Sequence, residues 1–265
     1  PDPKPVVVLV FNPQRNAYEP RQVELKTVSD VVSLDGPIVR FLGGARFKLA
    51  ADDQALATAL DMGDAEKIRA AMTQEEGEPV EVSYIEREGV LVPADFDSLN
   101  LVTSYYNFER SFGFFEEVGG LDVADFKPRE VHYFPEFDYF GQVIKDNALF
   151  FLPLQGFMVL PFESLQQIPL ALNLGVVGHE FSHSVFNYRV FGSNPLPDAY
   201  TNWSSDIFAS PGLNLIKSLD EGLADLFGTG ITCGSDYSDC DPAFMGHSLS
   251  GAVGDERRKI GRAHV

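Results

Sequence analysis

His179-Glu180-Phe181-Ser182-His183 sets two imidazoles four residues apart with a carboxylate between them. On an α-helix, residues i and i+4 lie one above the other on one face, so both rings can reach a single cation. Zn2+ takes imidazole nitrogen at about 2.0–2.1 Å, which this spacing permits. Glu180 is turned about 100° around such a helix, toward an open coordination position rather than onto the metal. The pattern predicts a catalytic zinc site with Glu180 as general base toward a water. The plainer reading is two hydrogen-bonded core histidines beside a surface glutamate.

A catalytic zinc site needs a third protein ligand and an open fourth position. Downstream, Ser218-Leu219-Asp220-Glu221-Gly222-Leu223-Ala224-Asp225 again pairs two acidic residues, Glu221 and Asp225, at i and i+4. Alone, this segment reads as a solvated acidic helix face. Coupled to the histidine pair, Glu221 becomes the third ligand. Asp225 then accepts the outer N–H of one ligand imidazole and fixes its tautomer.

HEFSH followed by DEGLAD resembles the gluzincin peptidases, closest to thermolysin and fungalysin. Asp146-Asn147-Ala148-Leu149-Phe150 is similar to the edge strand of those families, which implies that Asn147 and Ala148 bind the substrate peptide. Ser104-Tyr105-Tyr106-Asn107, running on to Gly119, resembles their long helix before the sheet. The resemblance spans roughly residues 95–230. It implies an α+β fold with a thermolysin-like zincin core, built from a mixed sheet and an active-site helix. It further implies zinc as cofactor, a polypeptide substrate and peptide-bond hydrolysis, with endopeptidase action along the edge strand.

The sequence also departs from that pattern. The interval from His183 to Glu221 is longer than in thermolysin, which points to an inserted loop over residues 192–212. No residue matches the Tyr and the later His with which such enzymes stabilise the oxyanion. Tyr188 and Tyr200 lie nearby without aligning, and His247 follows Glu221 too closely and reads as a loop histidine. An aminopeptidase of the same superfamily is the nearest alternative, but no anchor for a substrate amino terminus is present. A non-catalytic zinc-binding module is the other alternative, and the intact Glu180 counts against it.

Other elements must position these residues. Residues 1–92 read as a β-rich N-terminal segment. Within it, residues 5–11 (PVVVLVF) form a buried strand, Leu34-Asp35-Gly36-Pro37 forms a turn, and residues 53–73 form one helix. Residues 93–190 read as a subdomain carrying the HExxH helix, and residues 191–258 as the start of a helical C-terminal part that is cut short. Residues 96–117 are aromatic-rich at helical spacing and stop at Gly119-Gly120, an apolar stripe that reads as core. Strands are expected at residues 131–137 and 148–154. Residues 162–188 are expected as one long helix, and residues 213–229 as another.

The formal net charge of −19 disfavours nucleic acid and anionic membranes as partners, and attracts divalent cations, Ca2+ among them. An apolar content of 45% argues for a folded core rather than disorder. No apolar run is long enough to span a bilayer. The two cysteines, Cys233 and Cys240, flank a short polar loop and predict one local disulfide in a secreted protein. Pro1 in place of Met predicts an upstream segment. Residues 259–265, His264 included, back-translate to the start of a common sequencing adapter. They are set aside from the fold, and coding sequence is expected to continue past about Glu256.

Overall fold

A computed structural model describes residues 3–50, 54–62, 65–123, 129–163, 169–192, 211–234 and 239–246. It is a mixed α+β protein. Its described residues contain five α-helices and three sheets.

The first sheet runs β2-β1-β8-β7 and is formed by β1 (Lys4–Asn12), β2 (Ala17–Leu25), β7 (Tyr84–Arg87) and β8 (Val90–Pro93). The expected strand at residues 5–11 is β1, which pairs antiparallel with β2 along its whole length. The second sheet runs β11-β10-β4-β5, from β4 (Arg46–Leu49), β5 (Thr73–Glu75), β10 (Glu136–Tyr139) and β11 (Gln142–Val143). The third is five-stranded, in the order β12-β13-β9-β3-β6. It comprises β3 (Val39–Gly43), β6 (Glu78–Pro79), β9 (Arg129–Tyr133), β12 (Ala148–Phe151) and β13 (Gly156–Val159). Strands from the first 92 residues therefore share sheets with later ones: β3 pairs in parallel with β9, and β4 in parallel with β10.

Residues 131–137 do not form one strand. Phe134 takes a φ of 49° ahead of Pro135, and this left-handed residue turns the chain out of β9 and into β10 of a different sheet. Likewise β12 stops at Phe151, where Leu152-Pro153-Leu154 tightens into a 3-10 turn. Within the helix expected over residues 53–73 the described residues form two helices, α1 (Gln54–Met62) and α2 (Ala65–Ala71).

The long helix α3 (Phe96–Gly119) has both ends set by local chemistry. The Asp95 carboxylate accepts from the Ser98 N–H at 2.7 Å, and Gly120, at φ 58°, donates to the Phe115 carbonyl as a left-handed cap. Its aromatic stripe is core: Tyr105, Phe108, Phe112 and Phe115 are buried. Polar residues on α3 fasten other elements to it. Thr103 Oγ1 accepts from the Leu9 N–H of β1 at 3.0 Å, and Asn107 donates to the Ala171 carbonyl at 3.0 Å. Asn100 donates to Tyr133 Oη on β9, which donates in turn to Asp97.

The HExxH helix, α4 (Leu174–Phe186), starts later than residue 162. Pro169 is extended, Leu170–Leu172 make a 3-10 turn, and Asn173 caps α4 by accepting from the Val176 N–H at 3.1 Å. A π-helical turn, Asn187–Phe191, follows it. The last α-helix among the described residues, α5 (Pro211–Thr232), packs along α4. The carbonyl of Ile231 at its C-terminal end and that of Cys233 just beyond it each accept from Arg110 of α3 at 3.3 Å. Cys233 is bonded to Cys240 as expected.

The closeness of α4 and α5 depends on glycine. A Cβ on Gly178 would stand 2.8 Å from Ile231 Cδ1, and one on Gly228 would stand 3.0 Å from the Gly175 carbonyl oxygen. Gly178→Val should therefore spread the helix pair and destabilise the fold by about 1–3 kcal/mol, with loss of any metal shared between the helices. Denaturant unfolding with metal analysis checks this. A stability equal to wild type would show that the close contact is not needed.

Candidate metal centre

Facing turns of α4 and α5 bring His179, His183 and Glu221 together. His179 is buried, His183 nearly so, and Glu221 lies at the rim with 31% of its side chain exposed. The two Nε2 atoms are 3.1 Å apart, and each is 3.6 Å from Glu221 Oε2. A triangle with these edges has a circumradius of about 2.0 Å, and zinc bonds to nitrogen and carboxylate oxygen measure about 2.0–2.2 Å. Among the described residues this is the one His, Cys, Asp and Glu group close enough to hold a metal ion.

The outer nitrogens are also engaged. His179 Nδ1 lies 3.0 Å from Asp225 Oδ1, so the residue expected to orient a ligand imidazole stands beside His179. His183 Nδ1 lies 2.9 Å from Asp220 Oδ1. The Asp220 contact was not foreseen. Its one signal in the sequence is adjacency to Glu221, and a residue one step away on a helix points about 100° elsewhere. Only the crossing of α5 over α4 brings it to the second imidazole.

A carboxylate can only accept, so His183 Nδ1 carries the proton, and the Asp225 carboxylate beside His179 Nδ1 favours the same tautomer there; both Nε2 atoms then present lone pairs. Three acceptor atoms, the two Nε2 and Glu221 Oε2, then converge on one point. Acceptors that face each other at this range repel unless a cation lies between them. The same convergence favours a proton on the imidazoles. Burial works to lower the His179 pKa, but Asp225, Glu221 and the nearby Glu180 charge outweigh it and push it up to about 10. Burial is likewise overcome at His183, chiefly by Asp220, and its pKa rises.

Asp220→Ala should remove the orienting acceptor of His183 and weaken metal affinity by about 10–100-fold, as is typical when such a partner is lost. Asp225→Ala should cost less, because 65% of the Asp225 side chain is exposed and water can replace it. Competition with a chelator measures both. Equal losses would show that burial does not set the ranking.

Glu180 is buried on α4 and is not part of the converging triangle. Its Oε2 accepts from the Phe150 backbone N–H on β12 at 2.8 Å. Among the described residues β12 is the edge of its sheet. Asn147 immediately precedes this strand and Ala148 opens it, so both expected substrate-binding residues stand on that edge. His247, His264, Tyr200 and most of the expected inserted loop lie outside the described residues.

Compared with models of known protein families and with curated proteins, the chain matches none. No helix among the described residues is long and apolar enough to cross a membrane. That observation and the Cys233–Cys240 disulfide are both compatible with a secreted protein.

Proposed function

We propose that this chain carries the catalytic centre of a zinc-dependent peptidase of the gluzincin type, with a thermolysin-like core. The observation that carries the reading is the convergence of three acceptor atoms whose outer partners leave a cation as the species that fits between them. Two imidazole nitrogens and one carboxylate oxygen are a borderline donor set that suits Zn2+. Ca2+, by contrast, takes six to eight oxygens.

His179, His183 and Glu221 would hold the zinc ion, which would supply Lewis-acid polarisation of a substrate carbonyl and a more acidic water. Glu180 takes a proton from the attacking water and passes it to the leaving amine. An extended polypeptide adds to the outer edge of β12 beside Asn147 and Ala148, which suits an internal peptide bond and modest side-chain selectivity. The disulfide supports action outside the cell.

Metal analysis tests the reading most directly. Purified protein never exposed to chelator should contain about one zinc per chain. Folded protein with none would reject the site. Metal-loaded protein that leaves casein-like substrates intact would reduce the reading to metal binding.

A further inference from the structure

Which backbone groups of β12 face outward follows from its neighbours. The Val159 carbonyl accepts from the Phe134 N–H at 2.8 Å, so Val159 directs its polar groups toward β9. By the alternation of a strand, Phe157 does the same. Their partners across the antiparallel pair are Ala148 and Phe150, which must therefore turn their own N–H and C=O away from β13. Two outward N–H groups result, and both are already engaged. Ala148 donates to the Asn147 side chain at 3.0 Å, and Phe150 donates to Glu180 Oε2 at 2.8 Å.

The Phe150 donor is held from behind by a row of aromatic rings. Phe150 packs on Phe157 with ring centroids 5.3 Å apart, and Phe157 stacks on Phe181 at 6.0 Å and 8°. Phe181 is the residue after Glu180 on α4 and is fully buried. The edge strand and the HExxH helix are thus fixed to each other independently of the Glu180 contact. The amide is presented to the carboxylate by a rigid support.

Resting on the peptidase reading, we propose that the backbone N–H of Phe150 is the positioning group for Glu180. A hydrogen bond to a carboxylate is stronger than one between neutral groups, and a buried carboxylate anchored at one oxygen keeps a single orientation. Oε2 is held on the strand, and proton transfer falls to Oε1. The same contact joins the substrate-binding edge to the catalytic helix. Displacement of β12 therefore displaces the base, and a misplacement of about 1 Å at such a group can cost on the order of a hundredfold in rate.

Two measurements test this, one of them independent of catalysis. Amide hydrogen exchange should show Phe150 protected at least tenfold more in the wild-type chain than in Glu180→Ala. Leu149 and Phe151, whose N–H groups face β13, should exchange alike in both. Equal exchange at Phe150 in the two proteins overturns the contact. In the second measurement the Phe150 amide is replaced by a backbone ester, which keeps the phenyl ring and deletes the N–H. Zinc content and KM should stay near wild type while kcat falls about tenfold. An unchanged kcat in the ester protein overturns the positioning role, and so does a loss of zinc that accounts for the fall. Wild-type protein that binds zinc and cleaves nothing overturns the peptidase reading instead, and leaves the exchange result as it stands.

Discussion

Glu180→Gln should leave zinc content at the wild-type value and lower kcat by about a hundredfold or more with KM little changed. The substitution preserves the size of the side chain and an oxygen that can still accept from the Phe150 N–H. It removes the ability to take a proton. Because Glu180 lies outside the triangle of His179, His183 and Glu221, the metal-holding atoms are untouched. The base acts in the transition state and contributes little to holding the substrate, which is why the loss falls on kcat. His183→Ala behaves differently. It deletes one of the three converging donors and leaves Asp220 without its imidazole partner, so metal and activity should be lost together. Steady-state hydrolysis of a casein-like substrate, with metal analysis on the same samples, separates the two outcomes. A Glu180→Gln protein as fast as wild type would remove Glu180 from the chemistry.

Zinc affinity should rise about a hundredfold between pH 6 and pH 8, about tenfold for each pH unit per proton displaced. In the metal-free protein the His179 pKa is pushed up to about 10, so a proton occupies the converging site throughout that range. Zinc must expel it, and the expulsion becomes easier as the pH rises. The folded protein shows the opposite trend when no metal is present. A pKa raised above its unfolded value contributes stability that is complete below about pH 6.5 and is lost as the pH climbs through about 10. Metal-free protein should therefore lose stability as the pH climbs from about 6.5 to about 10, while zinc-loaded protein, whose site holds no proton to lose, should stay level over the same range. Proton release in weakly buffered solution during zinc titration gives the count directly. Uptake with no proton released and no pH dependence would contradict the convergence of acceptors.

The pairing of His179 with His183 was legible because it depends only on the helical repeat, and α4 delivers it. The ends of α3 were legible for a related reason: Asp95 and Gly120 satisfy its terminal groups through contacts within one turn. Glu221 and Asp225 also share a helix, so their common face could be read from spacing alone. Contacts between elements were not legible. Asp220 reaches His183 only through the packing of α5 on α4, which the glycines at 178 and 228 permit. The start of α4 was misplaced because the apolar run before it continues at helical spacing, while the Asn173 side chain supplies a competing cap. The insertion of β3 between β9 and β6 joins residues far apart in the chain, and no local pattern encodes such a pairing. The Phe150 contact to Glu180 is of the same kind. Strand parity sets which amides face outward, but where that edge meets the HExxH helix is decided by the stacking of Phe150, Phe157 and Phe181 in the core. Periodicity along one element is a property of the local backbone and so is written in the sequence. The distance between two elements is a property of everything packed between them.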